Sequence, residues 1–163
     1  MHTAFLSLGS NVGDRLAQLR EACERLQDAS EVVRISSYYE TEPMEFTAQP
    51  WFLNCVVELR TEITPVELMR TLLKIERAMG RERNQAKGPR NIDLDLLLYD
   101  DETVTTPELT LPHPAMHARR FVLVPLAEIA PGATHPILRK SARQLLASLP
   151  EGGEVHRWMA PED

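Results

Sequence analysis

Cysteine is scarce in this chain. The two present, Cys23 and Cys55, sit in apolar segments with no metal-ligand spacing between them. That excludes a disulfide framework and a cysteine-built zinc module, and leaves core thiols in a reducing cytoplasm as the expectation. No long run of Lys or Arg offsets the net charge of −6, and no aromatic-rich RNA-binding pattern occurs. The overall field therefore repels nucleic acid, and none is expected as a partner. The opening M-H-T-A-F-L-S-L-G-S-N lacks a basic leader and a cleavage site, and its apolar run is too short for a signal or a membrane span. No membrane association is expected, and the location expected is cytoplasmic. Repeats, low-complexity tracts and linkers are missing too, so the 163 residues are expected to form one domain, 1–163, and a monomer.

What is present reads as alternating strands and helices. Residues 3–8 form a β-type run that ends at the turn Gly9-Ser10-Asn11. A helix is expected over 14–29, with Leu16, Leu19, Cys23 and Leu26 on one face. Residues 32–39 read as a strand, 40–50 as a loop, and 51–61 as a third strand. In that third strand Phe52, Asn54, Val56 and Glu58 face one way, and Leu53, Cys55, Val57 and Leu59 the other. Thr64-Pro65-Val66-Glu67 opens a second helix with a capping box, Leu68, Leu72, Ile75 and Met79 form its buried stripe, and Gly80 stops it. Residues 81–90 are a loop and 92–99 a strand. A Pro-flanked loop follows at 110–117, then an apolar helix or strand at 121–129 and a short helix at 141–149. This order predicts an α+β fold: a ferredoxin-like βαββαβ antiparallel sheet with helices packed on it, plus a C-terminal helical extension.

The chemistry concentrates at one junction. In I-D-L-D-L-L-L-Y, strand alternation points Asp93 and Asp95 the same way, roughly 7 Å apart, with Ile92, Leu94, Leu96 and Leu98 on the opposite face. Two carboxylates so placed repel unless a cation lies between them, and hard oxygen donors suit Mg²⁺. The preceding loop carries Arg81, Arg83, Lys87 and Arg90 against Glu82, a local charge of +3. Metal-chelating acids beside clustered guanidinium groups fit a polyphosphate. His113 is fixed between Pro112 and Pro114, whereas His117 reads as a bystander. A zinc site from His113, His117 and Cys55 has no spacing to support it.

The segment K-G-P-R-N-I-D-L-D-L-L at 87–97 resembles the signature of the 6-hydroxymethyl-7,8-dihydropterin pyrophosphokinases of folate synthesis. The resemblance covers nearly the whole chain. It runs through Leu8-Gly9-Ser10-Asn11, Ser37-Tyr38-Tyr39-Glu40-Thr41, Phe52-Leu53-Asn54, Ile75-Glu76 and Gly80-Arg81-Glu82-Arg83 to Leu111-Pro112-His113-Pro114 and Arg119-Arg120-Phe121. It implies transfer of pyrophosphate from MgATP to the pterin hydroxymethyl group, giving AMP. Asp93 and Asp95 would then hold two Mg²⁺ ions, and Asp95 would also receive the hydroxyl proton. Arg81, Arg83 and Arg90 would act on the phosphates in the closed state. Glu76, Arg83, Lys87, Arg90, Ile92, His113 and Arg119 would contribute to ATP binding. For the pterin, the resemblance implies stacking between Phe52 and Phe121, with Asn54 reading the edge and Thr41, Pro43 and Met44 adding contacts.

The chain departs from the pattern in places. Lys87 stands where some members carry tryptophan, and the 81–90 loop is one residue shorter. Leu73 replaces a glutamine and Pro114 a tyrosine. Two rival functions fit parts of the sequence. A sugar transferase would use D-L-D as its metal motif, and a ferredoxin-like binding module would consume no ATP.

Overall fold

Alternating small and apolar residues make β1 (His2–Ser10) the centre of the sheet. The computed structural model describes residues 1–43, 49–80 and 91–159. β1 pairs antiparallel on one side with β4 (Phe52–Thr61) and on the other with β5 (Asp93–Tyr99). Beyond β4 lie β2 (Glu31–Ile35) and β3 (Tyr39–Thr41), which pair in succession along its outer edge. The order β5-β1-β4-β3 is extended by β8 (Val155–Arg157), giving a six-stranded sheet of mixed α/β architecture. Two further strands, β6 (Val104–Thr105) and β7 (Thr110–Leu111), form a small separate hairpin.

Helices cover both faces. α1 (Arg15–Leu26) starts where the Asp14 carboxylate accepts the Ala17 N–H, and α2 (Pro65–Ala78) starts with the expected Thr64–Glu67 capping box. Gly80, with φ of 84°, supplies the left-handed residue that ends α2. Leu19, Cys23 and Leu26 of α1 and Leu68, Leu72 and Ile75 of α2 pack on Leu6, Leu8, Leu53, Cys55, Val57, Leu94 and Leu96. Each such leucine withdrawn from water contributes roughly 1.5–3 kcal/mol. The other face packs against α3 (Arg120–Ile129) and α4 (Ala142–Ala147), where Val122, Leu126 and Ala142 meet Phe5, Val56, Leu97 and Leu98. Both cysteines are buried and free. Burial pushes the Cys23 thiol up to about 11 and raises Cys55 as well, so neither is a thiolate.

Several expectations are corrected, the first being the turn at Gly9-Ser10-Asn11: β1 runs on through Gly9 and Ser10, which pair with Asn54 and Leu53. Leu98 does not share a face with Leu94 and Leu96. Leu6 pairs with Leu96 but Phe5 pairs with Leu98, so Leu97 is an extra residue, and this β-bulge turns Leu98 toward α3. The strand expected over 32–39 breaks at Ser36, whose hydroxyl accepts the Val56 N–H at 2.9 Å and so stands in for a ladder bond. Strand structure resumes over Tyr39–Thr41, inside the expected 40–50 loop, while 44–48 lie outside the described residues. The 110–117 loop holds β7 and part of a single 3₁₀ turn, Met116–Ala118. The ambiguous 121–129 segment is helical with Pro125 inside it, and the tail expected to be helical also contains β8.

Candidate active site

Three strands align the candidate residues across one end of the sheet. Gly9 pairs with Asp93 on one side and with Asn54 on the other, and Tyr39 continues the row. One step along, Ser7 pairs with Asp95 and Val56. Directly opposed residues share a face, so Asp93, Asp95 and Asn54 all rise on the side of α3. Both aspartates are half-buried, with the β5 backbone fixing their separation.

Gly9 makes the floor between them. A Cβ built there would lie 2.5 Å from Asn54 Nδ2 and 3.5 Å from the Phe52 ring, so no side chain fits. Asn54 is only 4% exposed. Its Oδ1 accepts the Thr41 hydroxyl, and its Nδ2 donates to the Leu8 carbonyl at 3.3 Å. Thr41 and Phe52 are register partners, with Thr41 buried and Phe52 half-buried. Pro43 is buried beyond them, and Met44 lies outside the described residues. The turn before Phe52 is tied down from the β1–α1 connection: Asn11 donates to the Gln49 side chain at 2.8 Å and to the Pro50 carbonyl at 3.0 Å. Arg15 donates to the Trp51 carbonyl and pairs with Glu40 at 2.8 Å.

Phe121 enters from the first turn of α3, half-buried, with the Arg119 guanidinium 5.5 Å from its ring centre. His113 follows a cis Leu111–Pro112 bond, and its N–H donates to the carbonyl of the bulge residue Leu97 at 2.9 Å. Its Nδ1 accepts the Ala115 N–H at 3.1 Å, which leaves Nε2 to carry the proton of the neutral ring. Burial holds His113 below its ordinary range; the Asp95 charge opposes this and the Arg119 charge adds to it. His113 thus senses both Asp95 and Arg119.

Glu76 and Ile92 stand differently. Glu76 is 4% exposed on α2, and its carboxylate accepts the Leu94 N–H at 2.9 Å, closing the outer edge of β5 between the two aspartates. The Ile92 side chain is wholly buried in the α1/α2 core, so only its backbone can meet a ligand. Cys55 points into that same core, on the face away from His113, so no zinc site joins them. Arg81, Arg83, Lys87 and Arg90 lie outside the described residues. Two features carried no role at the level of sequence: the Gly9 floor and the 149–157 segment packed beside Phe121. The first is hidden because Gly9-Ser10-Asn11 reads as a turn while β1 in fact continues through Gly9, and the second is signalled by nothing local.

The assembled groups can hold a cation on oxygen donors, meet an anion with the Arg119 charge and the His113 N–H, and offer a flat ligand the bare floor at Gly9 beside the Phe52 ring. Comparison with known proteins identifies a family. A family model described as 7,8-dihydro-6-hydroxymethylpterin-pyrophosphokinase (HPPK) matches residues 5–131. The 2-amino-4-hydroxy-6-hydroxymethyldihydropteridine pyrophosphokinase of Aquifex aeolicus is 42% identical over 88% of this chain and 90% of its own length. The folic acid synthesis protein fol1 of Schizosaccharomyces pombe is 41% identical over 92% of this chain, which spans only 21% of that longer protein. The crystal structure of Plasmodium falciparum HPPK-DHPS with pteroate shares the fold, with a TM-score of 0.72 at 16% identity. The match takes in 90% of this chain and 42% of that one.

Proposed function

The chain belongs to the 7,8-dihydro-6-hydroxymethylpterin-pyrophosphokinase family, and from that premise we infer that the site over Gly9 carries out the family reaction. It transfers the pyrophosphoryl group of ATP to the hydroxymethyl group of 6-hydroxymethyl-7,8-dihydropterin in folate synthesis. The pterin hydroxyl oxygen bonds to the β-phosphorus, the bond from that phosphorus to the α,β-bridging oxygen breaks, and AMP leaves. The observation that carries this reading is the row Asp93–Gly9–Asn54, which sets a carboxylate pair beside a bare, hydrogen-bonding floor.

In this assignment Asn54 reads the pterin edge, Phe52 and Phe121 stack on its faces, and Thr41, Pro43 and Met44 complete the pocket. Thr41 donates to Asn54 and so fixes which amide group faces the substrate. Asp93 and Asp95 fit Mg²⁺ by donor type, shared face and partial exposure, and two ions are assigned to them. Bound there, Mg²⁺ supplies charge neutralisation to the phosphate oxygens. Asp95 is also assigned the hydroxyl proton.

His113 donates its Nε2–H to a phosphate oxygen, an orientation fixed by the Ala115 N–H on Nδ1. Arg119 adds positive charge beside it. Arg81, Arg83, Lys87 and Arg90 take the triphosphate on sequence grounds, with Ile92 contributing backbone. Glu76 acts on ATP indirectly, by holding Leu94. Positioning and electrostatics dominate such transfers, which suits a site so rich in fixed charge.

The ferredoxin-like reading of the fold is supported by the β5-β1-β4 order with β2 and β3 outermost, and α3, α4 and β8 form its extension. A single domain over 1–163 is supported by β8, which joins the same sheet as β1. Among the described residues, no helix is long and apolar enough to cross a membrane. Incubation with ATP, Mg²⁺ and the pterin, followed by chromatography of nucleotides, tests the reaction. AMP that depends on pterin and metal is expected; ADP, or no nucleotide product from folded protein, overturns the reading.

A further inference from the structure

The C-terminal segment 149–157 lies beyond the stretch matched by the family model, yet it walls a cavity of about 220 Å³ against the assigned pterin pocket. Thr41 and Phe121 belong to both. Pro150, Gly152 and Val155 form the opposite wall, and Arg120 spans the gap. We propose that Arg120 is a positioning residue for pterin binding: it holds the 149–157 segment as a strap that sets the placement of Phe121 and Thr41.

The bonds define the device. Arg120 Nε–H donates to the Gly152 carbonyl at 3.2 Å and an Nη2–H to the Pro150 carbonyl at 2.9 Å. Both arms of a rigid fork are thus spent on main chain, which fixes direction as well as distance. Successive helical side chains diverge by about 100°, so Arg120 grips the strap while Phe121, from the same helical turn, lines the cavity beside it. On its far side the strap is tied to β3. Val155 pairs with Thr41, the Glu42 N–H donates to the Glu154 carbonyl at 3.1 Å, and the Glu154 N–H donates to the Glu42 carboxylate at 3.3 Å. Farther along, the Trp158 N–H donates to the Tyr38 carbonyl at 2.8 Å, and His156 stacks on Trp51, 6.1 Å between ring centres.

The strap therefore bridges the two elements that supply opposite sides of the pocket: α3 with Phe121, and β3 with Thr41 and its partner Asn54. The far end of α3 is held to β3 separately, where the Glu128 carboxylate accepts the Tyr39 hydroxyl at 2.6 Å, so release of the Arg120 end frees only the first turn of α3, with Phe121, to shift relative to β3. The aspartates lie on β5, separated from β8 by β1, β4 and β3 in the sheet order. The effect is expected on pterin and not on ATP.

This inference rests on the pterin assignment above, and the test separates the two. Steady-state constants are measured for the unsubstituted protein, Arg120→Ala, Arg120→Lys and Gly152→Ala. Arg70→Ala serves as control, since Arg70 lies on α2, on the other face of the sheet, in an exposed ion pair with Glu108. Gly152 has φ of 130°, so alanine there distorts the strap without touching α3. Arg120→Ala and Gly152→Ala are each expected to raise the pterin KM about tenfold, with kcat and the ATP KM within about twofold. Arg120→Lys should recover part of the loss. Pterin KM values within twofold of the unsubstituted protein, in variants folded by circular dichroism, overturn the proposal. So does an equal rise in both KM values, which marks general loosening. Should Arg120→Ala fail to fold, Gly152→Ala alone decides. Absence of AMP from the unsubstituted protein counts against the assigned reaction instead.

Discussion

The backbone N–H of Leu94 donates to the carboxylate of Glu76 at 2.9 Å, so the residue between the two candidate metal ligands is pinned by a buried acid from the helix beneath. β5 is an edge strand, and its outward N–H groups would otherwise have to be left bare or hydrated. By closing that edge, α2 fixes the position of Asp93 and Asp95 without touching their side-chain face.

Removal of this acceptor should cost both stability and rate. Glu76→Ala leaves a buried donor unsatisfied, a loss of about 1–3 kcal/mol. Glu76→Gln keeps an acceptor oxygen and should recover most of the stability. Urea unfolding midpoints for the two variants, set beside kcat, check the ordering.

Gly9→Ala should damage the pocket more than the fold. Its Cβ would meet Asn54 Nδ2 at 2.5 Å, forcing the amide off Thr41 and Leu8. Overpacking of this kind costs about 1–3 kcal/mol. The pterin KM should rise while the ATP KM holds, as measured by initial rates with each substrate varied in turn.

Asp95→Ala should abolish turnover and leave the protein folded. The side chain is half-buried on the α3 side of the sheet, outside the α1/α2 core, with Ser7 opposite it. A drop in kcat of at least about 10²-fold is expected from the loss of a group placed on transition-state charge. A thermal melt close to that of the unsubstituted protein separates this outcome from unfolding.

The stability of the protein should fall as pH drops below neutrality. His135 is 5% exposed, and its Nδ1 accepts the N–H groups of Ile137 and Leu138, at 3.3 and 3.0 Å. Burial, and then the neighbouring His117, hold it below the ordinary value. Its folded pKa is therefore the lower one, and the unfolded chain takes up the proton first. The stability it contributes is present above about pH 6.5 and is lost as pH falls toward the folded pKa. His113 is shifted the same way and adds to the slope. His135→Asn keeps an oxygen acceptor without the titration, so the difference in urea midpoint between pH 7.5 and 5.5 should shrink.

Local chemistry was legible in the sequence wherever it stayed local. The Thr64–Glu67 capping box, the Gly80 stop and the shared face of Asp93 and Asp95 follow from spacing alone, and the structure has all three. Phe52 and Asn54 lie together for the same reason. What escaped depends on partners far along the chain. Leu98 changes face because Phe5 and Leu6 pair across a bulge some 90 residues away, and no property of Leu97 announces it. Val155–Arg157 is too short to read as a strand until β3 offers it an edge. The Ser36 break arises because a hydroxyl can replace a main-chain acceptor, a substitution invisible to hydrophobic periodicity.

The extra residue at Leu97 has one further effect. A strand of unbroken alternation has a single parity, so any residue gained or lost before it exchanges the inside and outside of its whole length. β5 carries two parities joined at the bulge: Asp93 and Asp95 are counted from one end, and Leu98 and Tyr99 from the other. The half that carries the aspartates and the half packed on α3 are joined by a residue that belongs to neither ladder, and its carbonyl takes the His113 N–H. Deletion of Leu97 would set Leu96 and Leu98 in succession against Leu6 and Phe5, which keeps both faces of the strand but removes that anchor for the His113 loop.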